Sequence, residues 1–419
     1  MPRPYFSFIK RVFVYKMNPP QFTIGGRLHR MSDSSIRLHG ITWNHTRGFL
    51  PMVATAQRFH EQNPRVRISW EIRTLQDFAD ASIPRLAQQY DLLVLDHPSV
   101  PEAALAQALL PLDEWLGAQF LGDQAQHSVG RSYESYRHSG PLWALPIDAA
   151  TPVSGWRPDL VASPPQTWAE LMELARAGKV AVPALPIDSL MHFFMFTAGL
   201  GEEPFQQPDI AVGEECGREA LALLRSLLGW CDPACLERNP IATWETLASS
   251  DRVGYCPFAY GYSNYARDGY AQHRLCFGGL PSLPGGGPLR SVLGGAGLAV
   301  SAHTQHRELC ASYAEYVASP ACQSGLYFES GGQPGHRAAW LDDEVNRRAH
   351  NFFRDTLATL DAAWLRPRFA EYPGFQDRAG GLIHEHLLGR AGDRETLRGL
   401  NDLLHQTAIT TGKSEHATA

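Results

Sequence analysis

Trp43, Asn44, His45, Thr46 and Arg47 follow one another in a single short segment. An indole offers a flat apolar face. The amide and imidazole offer hydrogen bonds, and a guanidinium can grip a carboxylate or phosphate with two parallel bonds. Asp96 and His97 form a second set, in which the carboxylate can accept two hydroxyl hydrogens. Asp148 lies within a strand-like run, Pro146 to Ala150. Ser189 and His192 stand at the start of an apolar run, and Tyr255, Tyr260 and Tyr262 bring three phenols close together. Gly294 and Gly295 allow backbone N–H groups to approach a ligand closely. Each set also has a structural alternative. Trp43 can pack in a core and Asn44 can cap a helix. Asp96 can cap the helix after it, and Asp148 can fix a bend. Two of the three tyrosines can be packing residues, and the glycine pair can be a tight turn.

The elements that position these residues follow from periodicity. Residues 36–43 read as a strand, 44–48 as a turn, and 49–62 as a helix with Met52, Val53, Ala56 and Phe59 at three- and four-residue steps. Residues 66–72 alternate as a strand, 76–89 read as a helix, and 90–95 as a strand buried on both faces. This strand, helix, strand, helix, strand order predicts a parallel sheet with covering helices. The candidate residues at 43–47 and 96–97 then fall beyond the carboxyl ends of strands, where open sheets bind ligands. Further on, 141–147 and 149–155 read as extended, and Thr167 with Glu170 forms a capping box for a helix over 168–177. Residues 216–230 are helical, 252–257 a strand, 260–265 a tyrosine-rich loop, and 336–410 mainly helical. Glycines and prolines punctuate 278–297, a connector that feeds a strand over 297–301, and helices follow at 307–318 and 320–330.

Composition narrows the function classes. The 419 residues carry a formal net charge of −6, which leaves no electrostatic footprint for nucleic acid. Seven cysteines do not make a disulfide scaffold, and Cys231 and Cys235 read as two thiols, with a local disulfide the alternative in an exported chain. At the N-terminus Lys10, Arg11 and Lys16 interrupt the apolar run, so no signal peptide is expected; Met17 and Met31 are alternative starts. Between 180 and 201 the only ionisable residues are Asp188 and His192, but Pro183 and Pro186 break the stretch, which predicts a buried helix over 189–200 rather than a membrane span. Nothing marks an enzyme. G-x-S-x-G, Walker A and strand-linked G-x-G-x-x-G motifs are missing, and Gly285, Gly286 and Gly287 precede a proline rather than a helix. His384 and His386 lack the spacing of a zinc helix and read as a solvated face. No catalytic residue, metal or cofactor is expected.

Several segments in order resemble a known family. Segments 139–147 and 154–160, then Pro165, Thr167, Trp168, Glu170 and Leu171, resemble the crossover strand and helix start of the extracellular solute-binding proteins of ABC importers, close to the maltose and multiple-sugar type. Segment 294–301 resembles the strand that returns to the first lobe, and 308–333 the helix pair with its Gly-x-x-Pro loop. Arg366, Pro367 and Arg368, the spacing around Gly389, and 395–404 resemble the C-terminal helices. The match runs over about 36–410.

The resemblance implies an α/β, two-lobed periplasmic-binding-protein fold, type II-like, each lobe a mostly parallel sheet flanked by helices. Lobe 1 would be 36–148 plus 284–335, and lobe 2 would be 149–283 plus 336–410. Residues 1–35 would be a disordered extension and 411–419 a tail, with hinges near 148–151 and 281–288. A sugar would be captured between the lobes of a monomer, and the closed form would dock on permease subunits. Stacking on Trp43 and the tyrosines suits a sugar ring. Arg47, His45 and His97 equally suit a carboxylate or phosphate, so a sugar acid or small organic acid is a variant, and a cleft enzyme with unmarked residues is the rival class. The resemblance places the chain outside the cytoplasmic membrane, whereas its N-terminus reads as cytoplasmic; a cytoplasmic sensor is the alternative.

Overall fold

The structure, a computed structural model, describes residues 35–74, 82–207, 209–285, 287 and 289–417, without side-chain detail from 408 onward. The expected extension before 35 lies outside the described residues, as does much of the helix expected over 76–89, of which Ile83–Ala87 is seen.

The first sheet has five strands, ordered β2-β1-β3-β8-β4. Strand β1 (Ile36–Trp43) pairs in parallel with β2 (Val66–Arg73) and with β3 (Leu92–Leu95). Helix α1 (Thr46–Gln62) is the crossover, and its buried Met52, Ala56 and Phe59 lie on one face at helical spacing. All four residues of β3 are fully buried, which explains their unbroken apolar run. Strand β4 (Leu145–Ala150) and the returning β8 (Gly294–Val300) pair antiparallel, and β8 also pairs antiparallel with β3. An irregularity in β4 between Pro146 and Asp148 breaks the ladder, and such a bulge re-aims the side chain next to it.

After Thr151 the chain enters a second sheet, in which β5 (Pro152–Trp156) lies between β6 (Tyr255–Tyr260) and β7 (Cys276–Gly278). All its named strands pair antiparallel, where a mostly parallel sheet was expected in each lobe. Strands β6 and β7 flank β5 and both run opposite to it, so they run parallel to each other with β5 between them. One parallel bridge, Val180 to Tyr255, extends the sheet.

Helix α2 (Trp168–Arg176) begins with the expected capping box of Thr167 and Glu170. Helix α3 (Pro186–Gly199) is buried from Asp188 to Thr197, which accounts for its scarcity of charge, and Pro186 sits in its first turn, where no N–H is needed. Helix α4 (Tyr372–Leu387) packs beside α3: a Cβ at Gly380 would fall 2.8 Å from the Pro186 carbonyl oxygen. On α4, His386 is fully buried rather than solvated as expected, and its Nδ1 lies 3.1 Å from the Ala391 carbonyl oxygen. Leu283, Leu289 and Val292 belong to the second core, so the return toward the first sheet falls next to Gly294, not at 281–288. Residues 411–417, expected as tail, continue the helix Asp393–Ala417. Among the described residues, no helix is long and apolar enough to cross a membrane.

Candidate functional site

A cavity of about 380 Å³ lies between the two sheets. From the first sheet and α1 it is lined by Trp43, Arg47, Asp96, Asp148, Gly294 and Gly295. The facing wall carries Pro186, Asp188, Met191, Tyr260, Tyr262 and Arg366, with Asn239, Gln376 and Asp377 among others. The ends of β1, β3 and β6, the start of β8 and the N-terminus of α3 thus converge on one space.

Arg47 lies in the first turn of α1 and is buried to 4% exposure; Asp148 is buried to 1%. Arg47 Nε donates to Asp148 Oδ2 at 2.7 Å, and Arg47 Nη2 donates to Asp148 Oδ1. Arg47 Nη1 donates to the Gly261 carbonyl at 2.8 Å. Burial works against the guanidinium, but the Asp148 carboxylate outweighs it and raises the pKa of Arg47, so the cation persists. The guanidinium also lies 4.6 Å from the centre of the Tyr262 ring. Gln333, fully enclosed, joins the same knot: its Nε2 donates to the Ala149 and Gly261 carbonyls and its Oε1 accepts from Ser263 N–H.

A second pair crosses the cavity. Arg366 Nη2 donates to Asp96 Oδ1 and Oδ2 at 2.8 and 2.7 Å, and Arg366 Nη1 donates to Gln376 Oε1 at 3.1 Å. Burial pushes the Asp96 carboxyl up, yet the Arg366 charge and the bonds from His97 and Arg366 overcome it and hold the pKa far below the carboxylate range. Asp96 also caps the short turn His97–Ser99, accepting from His97 N–H at 2.9 Å.

Trp43 is only 5% exposed and rests on Gly48, where a Cβ would come within 2.3 Å of the indole. It therefore packs and lines the cavity at once. Gly294 and Gly295 are needed for close approach. A Cβ at Gly294 would meet Tyr260 at 2.5 Å, and one at Gly295, where φ is +118°, would meet the Asp148 carbonyl oxygen at 2.3 Å.

Five expected site residues do not line the cavity. Asn44 is exposed and caps nothing. His45 caps α1 instead, accepting from Arg47 N–H at Nδ1 (3.0 Å), and supports Tyr262 edge-on at 4.8 Å. His97 is buried, and burial with the Arg366 charge pushes its pKa down to about 4. Ser189 turns back to donate to the Ala184 carbonyl at 2.9 Å. His192 packs edge-on to Phe258 at 4.5 Å, and burial pushes its pKa down to about 3. Apart from Asn44, these side chains support the wall rather than form it. Tyr255 likewise is fully buried beneath it.

Asp188 and Arg366 were not among the expected site residues. Asp188 is 4% exposed, and its Oδ2 has no hydrogen-bond partner among the described residues. Burial alone pushes its pKa up to about 8. Its only sequence signal was a lone acid in an apolar stretch.

Among the described residues, one group could hold a metal ion: Asp123, His127 and His336, away from the cavity. Asp123 Oδ1 lies 2.7 Å from His127 Nδ1, and Asp123 Oδ2 lies 3.1 Å from His336 Nε2. His336 Nδ1 accepts from Ala338 N–H, so Nε2 carries the ring proton and donates to Asp123. A metal at Nε2 would have to displace that proton and break the helix cap, which suits the cluster to hydrogen bonding.

Comparison with known proteins agrees with this geometry. Residues 54–352 match the family model described as bacterial extracellular solute-binding protein. Among solved structures, the chain is similar to maltose-bound T. maritima MalE3, at 17% identity and a TM-score of 0.76, covering 89% of this chain and 100% of that one. It is also similar to an ABC transporter solute-binding protein from Agrobacterium radiobacter K84 in complex with ribitol (16% identity, TM-score 0.76, 90% and 99% covered). A third, from Thermotoga lettingae TMO with α-D-tagatose, shares 17% identity at a TM-score of 0.74, with 88% and 100% covered. The fold is therefore the two-lobed α/β binding-protein fold, and the chain belongs to the bacterial extracellular solute-binding protein family.

Proposed function

We propose that the chain captures a sugar or polyol in the cavity between its two sheets, as the binding component of an ABC-type importer. The observation that carries this reading is the cavity itself. Its volume of about 380 Å³ suits a small molecule. The aromatic rings of Trp43 and Tyr260 line it, and polar groups converge from both walls. The family membership and the maltose, ribitol and tagatose bound by similar structures support the same class. Asp148 takes the Nε–Nη2 edge of Arg47 and Gly261 takes an Nη1–H, which leaves fewer donors for the carboxylate of a sugar acid or organic acid and favours a neutral ligand.

Closure is a hinge motion between a lobe built on the first sheet and one built on the second. The crossings are Thr151, the approach to Gly294, and the segment around Gln333. A ligand touching both walls favours the closed state by its differential contacts. The family's extracellular character supports work outside the cytoplasmic membrane, as a monomer that delivers ligand to permease subunits without transforming it.

A thermal-shift screen of maltose, ribitol, mannitol, tagatose and dicarboxylates tests this. A true ligand raises the melting temperature, since it binds only the native state. The reading fails if no sugar or polyol stabilises the chain, or if a stabilising sugar is turned over.

A further inference from the structure

The charges around the cavity are matched unequally. Arg47 is satisfied by Asp148 and Gly261, and Arg366 by Asp96 and Gln376. Asp188 has no such match. It lines the cavity at 4% exposure, and its Oδ2 finds no partner among the described residues. His192, one turn further along α3, is held against Phe258, and burial keeps it neutral, so it offers no countercharge. Asp377, exposed on α4, adds a second carboxylate to the cavity lining.

Two effects bear on Asp188. It sits in the first turn of α3, whose positive end favours an anion there. Burial opposes that charge and holds the carboxyl up at about 8, so the side chain is poised to ionise when a cation arrives. A buried carboxylate without a cation is costly, and a hydroxyl supplies a hydrogen bond but no charge. The same residue blocks an anion from using the N-terminus of α3, because its own carboxyl stands there.

We propose that Asp188 is a specificity-determining residue that favours a polyhydroxylated ligand bearing a basic nitrogen, an amino sugar or amino polyol, over its neutral or acidic counterpart. This rests on the reading of the cavity as a sugar site. The ammonium group donates to the Asp188 carboxylate, and the ring faces of Trp43 and Tyr260 receive the remaining CH surface or the cation itself.

The test is calorimetric titration of the full chain with matched series: D-glucose, D-glucosamine and D-glucuronate; their galactose counterparts; and mannitol beside 1-amino-1-deoxymannitol. In at least one series the amine should bind about tenfold tighter than its neutral parent, with the acid weakest. Asp188→Asn should shrink that ratio to about threefold or less. The melting temperature of this variant, expected to be at or above that of the wild type, shows that the fold survives. Neutral parents that bind as tightly as their amines, or a preference untouched by Asp188→Asn, overturn the inference and leave sugar capture standing. A panel in which no member binds overturns both.

Discussion

The two walls of the cavity treat charge in opposite ways. On the side of the first sheet, Arg47 and Asp148 are closed into a bidentate pair, and Asp96 is held by Arg366 reaching across. On the α3 side, Asp188 is buried, and its Oδ2 has no partner among the described residues. A satisfied pair contributes shape and rigidity but has few bonds left to give. An unsatisfied group costs stability and keeps its bonding capacity for a ligand. On the reading proposed for Asp188, the first wall holds the lobes in register and the second discriminates.

The sharpest way to break that contrast is Arg47→Ala. It leaves Asp148 buried and unpaired, and should cost about 3–5 kcal/mol of stability in denaturant melts. Replacing both partners, Arg47→Met with Asp148→Leu, should cost much less, because no charge is then stranded. Equal losses for the single and double variants would show that packing, not pairing, holds this wall. Next in size is Gly295→Ala. Its φ of +118° and the 2.3 Å approach to the Asp148 carbonyl oxygen predict a loss of about 3 kcal/mol, and a neutral result would mean that β8 shifts freely against β4.

Asp188→Asn should act in the opposite direction, raising stability at neutral pH by about 2 kcal/mol. The sign follows from proton linkage. The folded carboxyl titrates at about 8 and the unfolded one near its ordinary 3.8, so the folded state holds the extra proton between those values. Wild-type stability should therefore carry a contribution that is full below pH about 4 and declines toward pH about 8, by at most about 1.4 kcal/mol per pH unit. That decline should vanish in Asp188→Asn, and an identical pH profile in the two proteins would contradict an unpaired buried acid. Smallest is Arg366→Ala, which should cost about 1 kcal/mol of stability, since Asp96 is 26% exposed and water can take over part of its solvation. Its ligand affinity should fall about tenfold, because a contact between the walls of the closed form is lost. A larger effect on stability than on affinity would move this pair into the structural class.

Much of this fold was legible along the chain. The first strands and α1 announce themselves by period, and the capping box of α2 is a local pattern that local chemistry fixes. Trp43, Arg47, Asp96 and Asp148, which line the cavity, lie in or just after strands, which sequence can locate. What escaped depends on distant partners. Arg366 matters through Asp96, 270 positions away. Asp188 matters through burial, which no spacing reveals. His97, Ser189 and His192 have the right chemistry on the right elements but turn into the wall, a choice made by packing around Phe258, Ala184 and Asp96. The antiparallel second sheet was missed because strand direction depends on how the connections return, not on the strands themselves.

The division of labour between the walls is tested most directly by a crystal structure of the chain with its tightest-binding sugar or amino sugar. The ligand should lie between Trp43 and Tyr260 with a donor on Asp188, while Arg47 keeps both bonds to Asp148 and Arg366 keeps Asp96. A ligand that takes the Arg47 guanidinium away from Asp148, or that binds outside the cavity and leaves Asp188 untouched, would contradict it.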